Sequence, residues 1–126
     1  MAVLLPNGLS PTSHRFFSQR LRMHFVEWGP REAPTVVLVH GVRDHCRTWD
    51  DLIARLSMLG EYHFVAPDLR GHGDSDWVQG AGYRYIDYLY DLQQLIEQND
   101  LGPVILAGHS LGGAIASFFA GVFPEW

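Results

Sequence analysis

Val104-Ile105-Leu106-Ala107-Gly108-His109-Ser110-Leu111-Gly112-Gly113-Ala114 is the stretch on which the reading of this chain turns. A short apolar run leads into Gly108, a G-x-S-x-G pattern occupies Gly108 to Gly112, and a second apolar run continues to Phe123. The pattern alone is cheap in a chain with 13 glycines, so its context has to decide. Here an apolar run stands on each side, as expected where a strand turns sharply into a helix and lifts a serine out of the turn as a nucleophile. Gly108 and Gly112 lack the Cβ atoms that would collide across such a turn, and Gly113 and Ala114 let the helix lie close to the strand. Ser110 at a helix N-terminus would be surrounded by free amides and the positive end of the helix dipole.

A tetrahedral intermediate on Ser110 needs two donors for its oxyanion. The amide of Leu111, next after the serine, is one candidate. The second belongs on the loop after an earlier strand, where Val42 follows His40-Gly41 and Gly41 allows close approach of the backbone. His40 admits two readings, a catalytic base or a side chain tying its own loop, and its place before a glycine turn favours the second. His109 adjoins the serine and points away from it.

Outward from this site the chain alternates between strand and helix patterns. Leu21, Met23 and Phe25 alternate with Arg20, Arg22 and His24 up to Trp28, the mark of a half-buried strand. Thr35 to Val39 is a continuous β-branched and apolar run, as in a strand buried on both faces of a parallel sheet. Thr48 to Asp51 has capping-box spacing ahead of a helix whose face is Trp49, Leu52, Ile53, Leu56 and Leu59, and Gly60 stops it. Tyr62 to Ala66 is a further strand, and Pro67 to Ser75 a loop. Ile86, Leu89, Leu92 and Ile96 recur at helical spacing opposite Asp87, Asp91, Gln94 and Gln98. Val104 to Ala107 and Leu111 to Phe123 supply the last strand and a buried helix. The expected fold is α/β, a mostly parallel sheet with helices on both faces. Ligands of such sheets bind beyond the carboxyl ends of strands, and His40-Gly41, Asp68 and Ser110 all fall there.

Composition narrows the function. All nine basic residues are arginine, and with fourteen acids the net charge is −5, which leaves no basic face for nucleic acid and no lysine for Schiff-base chemistry. Cys46 is the only cysteine, so an internal disulfide is excluded and a reducing, cytoplasmic setting is expected, with the thiol buried and inert. Histidine and cysteine spacings, including His72-Gly73-Asp74 and His40, His45 and Cys46, match no common metal pattern, so neither metal nor cofactor is expected. His14, His24, His45 and His63 have no evident partner. Asp68 is expected to tie its loop to Arg70 or to backbone amides. Trp49, Trp77, Tyr83 and Tyr85 read as packing more than as substrate contacts, and Arg43, Asp44 and His45 as either an entrance or a solvated loop. Ala2 to Leu5 is too short for the apolar part of a signal peptide, and no run reaches the length of a membrane span. Residues 1–19 are expected to form an irregular leader.

Taken together, the strand ending at His40-Gly41, the segment Asp68-Leu69-Arg70-Gly71-His72-Gly73-Asp74-Ser75 and the turn Gly108-His109-Ser110-Leu111-Gly112-Gly113 resemble the α/β-hydrolase superfamily, in the family's order and over residues 20–125. Phe123-Pro124-Glu125 resembles the family's usual end to the helix after the nucleophile. The chain is most similar to small serine hydrolases of the esterase and C–C hydrolase kind and to serine hydrolase-like proteins. That resemblance implies that Ser110 attacks the carbonyl of a small-molecule substrate and forms an acyl-enzyme that water releases. Epoxide hydrolases and haloalkane dehalogenases place aspartate there, so Ser110 argues for ester, thioester, lactone or carbon–carbon acyl chemistry. The family carries its acid and histidine after later strands, whereas Trp126 is the last residue here. Residues 20–126 are therefore expected to be the N-terminal portion of a single hydrolase domain, with one edge of the last strand bare. The alternative is a truncated, non-catalytic binding or pseudoenzyme module.

Overall fold

The computed structural model describes residues 10–126. It forms five strands and three helices in the order β1 (Thr12–Ser18), β2 (Leu21–Trp28), β3 (Thr35–Val39), α1 (Asp50–Ser57), β4 (His63–Asp68), α2 (Tyr85–Gln98), β5 (Ile105–Gly108) and α3 (Leu111–Val122). A 3-10 turn, Cys46–Trp49, precedes α1. The strands lie in the order β1-β2-β4-β3-β5. β1, β2 and β4 pair antiparallel, and β4, β3 and β5 pair parallel, so the sheet is mixed and its parallel half holds the three strand ends singled out in the sequence. β3 and β5 sit side by side, with Val39 opposite Gly108.

Each face of the sheet buries its own core. Met23, Phe25, Val37, Val39 and Val65 meet Leu89, Leu92, Leu95 and Ile96 of α2 and Ile115 and Phe119 of α3 on one face. Val26, Trp28, Val36, Leu38, Phe64 and Ala66 meet Cys46 and Ile53 on the other. β3 lends residues to both, which is why its sequence does not alternate.

Several local expectations change. Thr12–Ser18, expected within an irregular leader, is an edge strand; the apolar Ala2 to Leu5 lies outside the described residues. Only Phe16 and Ser18 of β1 are buried, too sparse a stripe to read as a strand. A two-residue turn joins β1 to β2 with both Gln19 (φ 49°) and Arg20 (φ 71°) left-handed, the twist that tight hairpins need. Gln19 is held there by donating from Nε2 to Asp87 O at 2.9 Å and Asp91 Oδ1 at 3.1 Å. β2 is buried on both faces, because β4 brings Asp68 opposite His24. Pro67 and Asp68, expected in a loop, belong to β4. The capping box at Thr48 does not form: the imidazole of His45 caps the 3-10 turn by accepting from Arg47 N at 3.2 Å, and α1 begins without a side-chain cap. Leu52 and Leu59 are exposed. Helix α3 buries Gly112, Ile115 and Phe119 while Phe118 and Val122 face outward, so it is buried on one side only. Among the described residues no helix is long and apolar enough to cross a membrane.

Candidate active site

The turn from β5 into α3 holds Ser110 at φ 56° and ψ −116°, backbone angles that a side-chain-bearing residue rarely adopts. The glycines around it are there for close approach. A Cβ on Gly112 would stand 1.9 Å from Val39 O, and one on Gly108 2.3 Å from Gly112 O. His109 N–H donates to Val39 O at 3.1 Å, fastening the turn to the end of β3. Leu111 is the first residue of α3, so its amide has no acceptor within the helix. The β3 loop also approaches, less tightly: a Cβ on Gly41 would lie 3.2 Å from His109 O and 3.4 Å from Ser110 Cβ. Gly41, His109, Ser110 and Gly112 are thus one contact region, with Val42, 61% exposed, next along the loop.

His40 is fully buried beneath this region. Its Nε2 accepts from Leu69 N–H at 3.0 Å, which leaves Nδ1 to carry the ring proton and donate to Gly41 O at 2.7 Å. Burial pushes its pKa down and the hydrogen bond to Gly41 pushes it up; with His72, its ring 5.1 Å away, repelling a second charge, the balance lies below the ordinary histidine value. Neutral and doubly bonded, His40 ties the β3 loop to the β4 loop and has no nitrogen left for Ser110.

The third strand end is organised by Asp68. Its Oδ1 accepts from Cys46 N–H at 2.7 Å, and its Oδ2 from Asp74 N–H at 3.0 Å and His24 Nδ1–H at 2.7 Å. Burial alone would raise its pKa, but the bonds from His24, Asp74 and Cys46 outweigh it and hold the carboxyl at about 2. The loop folds so closely over the carboxylate that a Cβ on Gly73 (φ 50°) would be 2.3 Å from its carbon. Of the two ties expected for Asp68, the one to backbone amides forms, while Arg70 pairs with Asp91 of α2 at 2.6 Å, a partner hidden in the sequence on the polar side of α2.

Of the four histidines that had no evident partner in the sequence, His45 bonds locally to Arg47 N, and the other three meet carboxylates across strands. His24 meets Asp68, and the Nε2 atoms of His14 and His63 each lie 2.7 Å from a carboxylate oxygen of Glu27. For Glu27, burial acts upward and the bond from His63 with the charges of His14, His63 and Arg31 acts downward; the downward effects win. These pairs come from strand register, which no local pattern spells out.

His24, Cys46 and Asp68 are, among the described residues, a group whose ligand-type atoms converge within 4.8 Å. All three are otherwise engaged. The Asp68 lone pairs are taken by three donors, and burial with the adjacent Asp68 charge raises the Cys46 thiol far above its ordinary pKa, against the thiolate a metal needs. A cleft of about 440 Å³ opens beside Leu111, walled by Tyr83, Arg84, Tyr85 and Tyr88. Tyr83 closes its own loop by accepting from Val78 N–H at 3.0 Å, and Tyr85 lies at a tilt against Phe118 with centroids 5.1 Å apart, so both also pack.

Residues 30–125 match the family model described as serine aminopeptidase, S33. Lipase LipV of Mycobacterium tuberculosis is 36% identical over 103 residues, which are 82% of this chain and 38% of that one. Among solved structures, an epoxide hydrolase of Vigna radiata superposes with a TM-score of 0.83 at 29% identity over 91% of this chain and 37% of its own. The thioesterase domain from the curacin biosynthetic pathway superposes with a TM-score of 0.83 at 28% identity, over 91% of this chain and 43% of its own. The chain spans 26% to 38% of the length of the curated relatives it matches. With the mixed sheet, the strained serine turn and the glycine contacts at three strand ends, these matches establish that the chain belongs to the α/β-hydrolase family.

Proposed function

We propose that this chain carries the nucleophile and oxyanion site of a serine hydrolase acting on carboxylic esters or related acyl bonds, through an acyl-enzyme on Ser110. The observation that carries the reading is the backbone of Ser110, strained at φ 56° and ψ −116°, with Gly41 so placed that a Cβ on it would touch the Ser110 Cβ at 3.4 Å. Strain of this kind, about 1–3 kcal/mol, persists where surrounding contacts over-determine it, commonly at a reacting centre. The Oγ atom attacks the substrate carbonyl, and the Val42 and Leu111 amides receive the oxyanion, the second reinforced by the α3 dipole. The acyl group enters the cleft between Tyr83, Tyr85, Tyr88 and Leu111. His40, Gly41, Gly108, His109 and Gly112 shape the turn and loop without taking a chemical part. Epoxide hydrolases are among the structural neighbours, but a serine at position 110 supports acyl chemistry over epoxide opening.

Because both its nitrogens are engaged, His40 does not serve as the base, and since the chain spans 26% to 38% of its relatives' length, residues 20–126 are assigned to the N-terminal part of one hydrolase domain whose activating base and acid lie elsewhere in that domain. That same observation favours the second reading for residues 1–126 by themselves, a binding module without turnover. In a protein that carries the whole catalytic set, a fluorophosphonate labels Ser110, and Ser110→Ala lowers steady-state ester hydrolysis by the order of 10⁶-fold. Retained hydrolysis in that variant would falsify the acyl-enzyme. Vigorous turnover by residues 1–126 alone would remove the binding-module reading.

A further inference from the structure

At the edge of the sheet away from β5, strand register brings a serine, a histidine and an aspartate together. His24 of β2 stands directly opposite Asp68 of β4, and Ser13 of β1 stands opposite Val26, two residues along β2 on the same face. Diagonal neighbours of this kind are within side-chain reach. The contacts run in series: Asp68 Oδ2 is 2.7 Å from His24 Nδ1, and His24 Nε2 is 3.2 Å from Ser13 Oγ. Asp68, with its carboxyl held at about 2, is an acceptor at neutral pH, so His24 Nδ1 bears the ring proton. In the neutral ring Nε2 then has a lone pair aimed at the Ser13 hydroxyl. His24 and Asp68 are buried and rigidly held, whereas Ser13 is exposed on the rim of a cleft of about 280 Å³ that also touches His45, Arg47 and Asp74.

We propose that Ser13, His24 and Asp68 form a second activated-serine site, one that accepts an acyl group from small activated esters. It does not depend on Ser110: β1 and β5 are the two edges of the sheet, four strand spacings or about 19 Å apart. In the step, Ser13 Oγ forms a bond to the ester carbonyl carbon and its proton passes to His24 Nε2. The carbon–oxygen bond to the leaving alkoxide then breaks, and the alkoxide takes that proton. The products are acyl-Ser13 and the alcohol, with His24 neutral again. Asp68 is a positioning residue, holding the ring and balancing the transient imidazolium. The nearby amides of Cys46 and Asp74 are already given to Asp68 and are not available to an oxyanion, so the site is expected to acylate with slow turnover.

The test is incubation of the protein with p-nitrophenyl acetate followed by tryptic digestion and tandem mass spectrometry. Ser10, exposed and on the same tryptic peptide, is the internal control; Ser110 lies on another peptide, so its acetylation is scored separately. The expected result is acetylation of Ser13 roughly 10²-fold faster than Ser10, the usual contribution of a positioned base. Ser13→Ala removes that adduct. His24→Gln retains a donor for Asp68 but has no base, and brings the Ser13 rate down to that of Ser10. Equal rates at Ser13 and Ser10 in the folded protein, or an unchanged Ser13 rate in folded His24→Gln, would overturn the proposal. Should His24→Gln fail to fold, the rate ratio in the unaltered protein before and after urea denaturation decides: persistence of the ratio in urea refutes it and collapse to unity supports it.

Discussion

Ser110 pays for its position in backbone energy, and that is measurable. Replacing it with glycine, which tolerates φ 56° freely, is expected to raise the unfolding free energy by roughly 1 kcal/mol, the relief of strain exceeding the entropy that glycine adds to the unfolded chain. Urea unfolding of Ser110→Gly against the parent checks it, and a less stable variant would mean that the serine is not strained. Asp68 gives a pH signature. Its folded pKa of about 2 lies below the value of 3.8 for an unperturbed carboxyl, so its contribution is complete above about pH 4 and is lost as pH falls towards 2. By linkage the amount is about 2 kcal/mol. Asp68→Asn should flatten the fall in stability across that window, as followed by urea midpoints at stepped pH.

Among the elements, α2 and α3 are attached to the sheet by different devices. Helix α2 is fastened by the buried Arg70–Asp91 pair, to which Ser18 Oγ of β1 adds a 2.6 Å bond. Asp91→Asn leaves the Arg70 guanidinium buried without its counter-charge and is expected to cost about 3–5 kcal/mol in the denaturant midpoint analysis. Helix α3 adds to the packing of Ile115 and Phe119 a bare backbone contact at its first turn. An alanine inside a helix is normally favoured over glycine by about 1 kcal/mol. At Gly112 the added methyl would meet the immovable Val39 backbone at 1.9 Å, so overpacking wins and Gly112→Ala is expected to destabilise by about 1–3 kcal/mol in the same measurement. These two devices also mark what was legible in the sequence. Gly108, Gly112 and the β-branched run of β3 announce close packing through residue type, and the serine turn was readable with them. Asp91, His24 and Glu27 are ordinary polar residues until a strand or helix distant in sequence is laid against them. β1 gives no local signal either, since of its seven residues only Phe16, packed on Phe25 of β2, and Ser18, bonded to Asp91 of α2, are buried, and both depend on partners distant in sequence or across the hairpin.

For the molecule as a whole, the open side of β5 is the dominant surface feature. Ile105 is 54% exposed at the sheet edge, and an apolar groove of Val104, Leu106, Phe119, Ala120, Phe123 and Trp126 runs beside it. An edge of this kind invites pairing between chains. Residues 1–126 are therefore expected to self-associate with rising concentration in sedimentation velocity, and Ile105→Lys, placing a charge on the edge, should shift the distribution towards monomer. A purely monomeric parent at all concentrations would contradict this.

The central place of β3 has a consequence for biogenesis. All five of its residues are buried, yet the strands that cover it, β4 and β5, are both encoded after it. β5 begins about 66 residues beyond the end of β3, an interval of roughly 3 to 13 s at ordinary translation speeds. Throughout that time Val36, Val37 and Leu38 travel on the nascent chain with at least one flank unpaired. The middle strand of this sheet is thus made third of five and is the last to have both flanks paired, so its apolar run stays open to other apolar surfaces until β5 has been made.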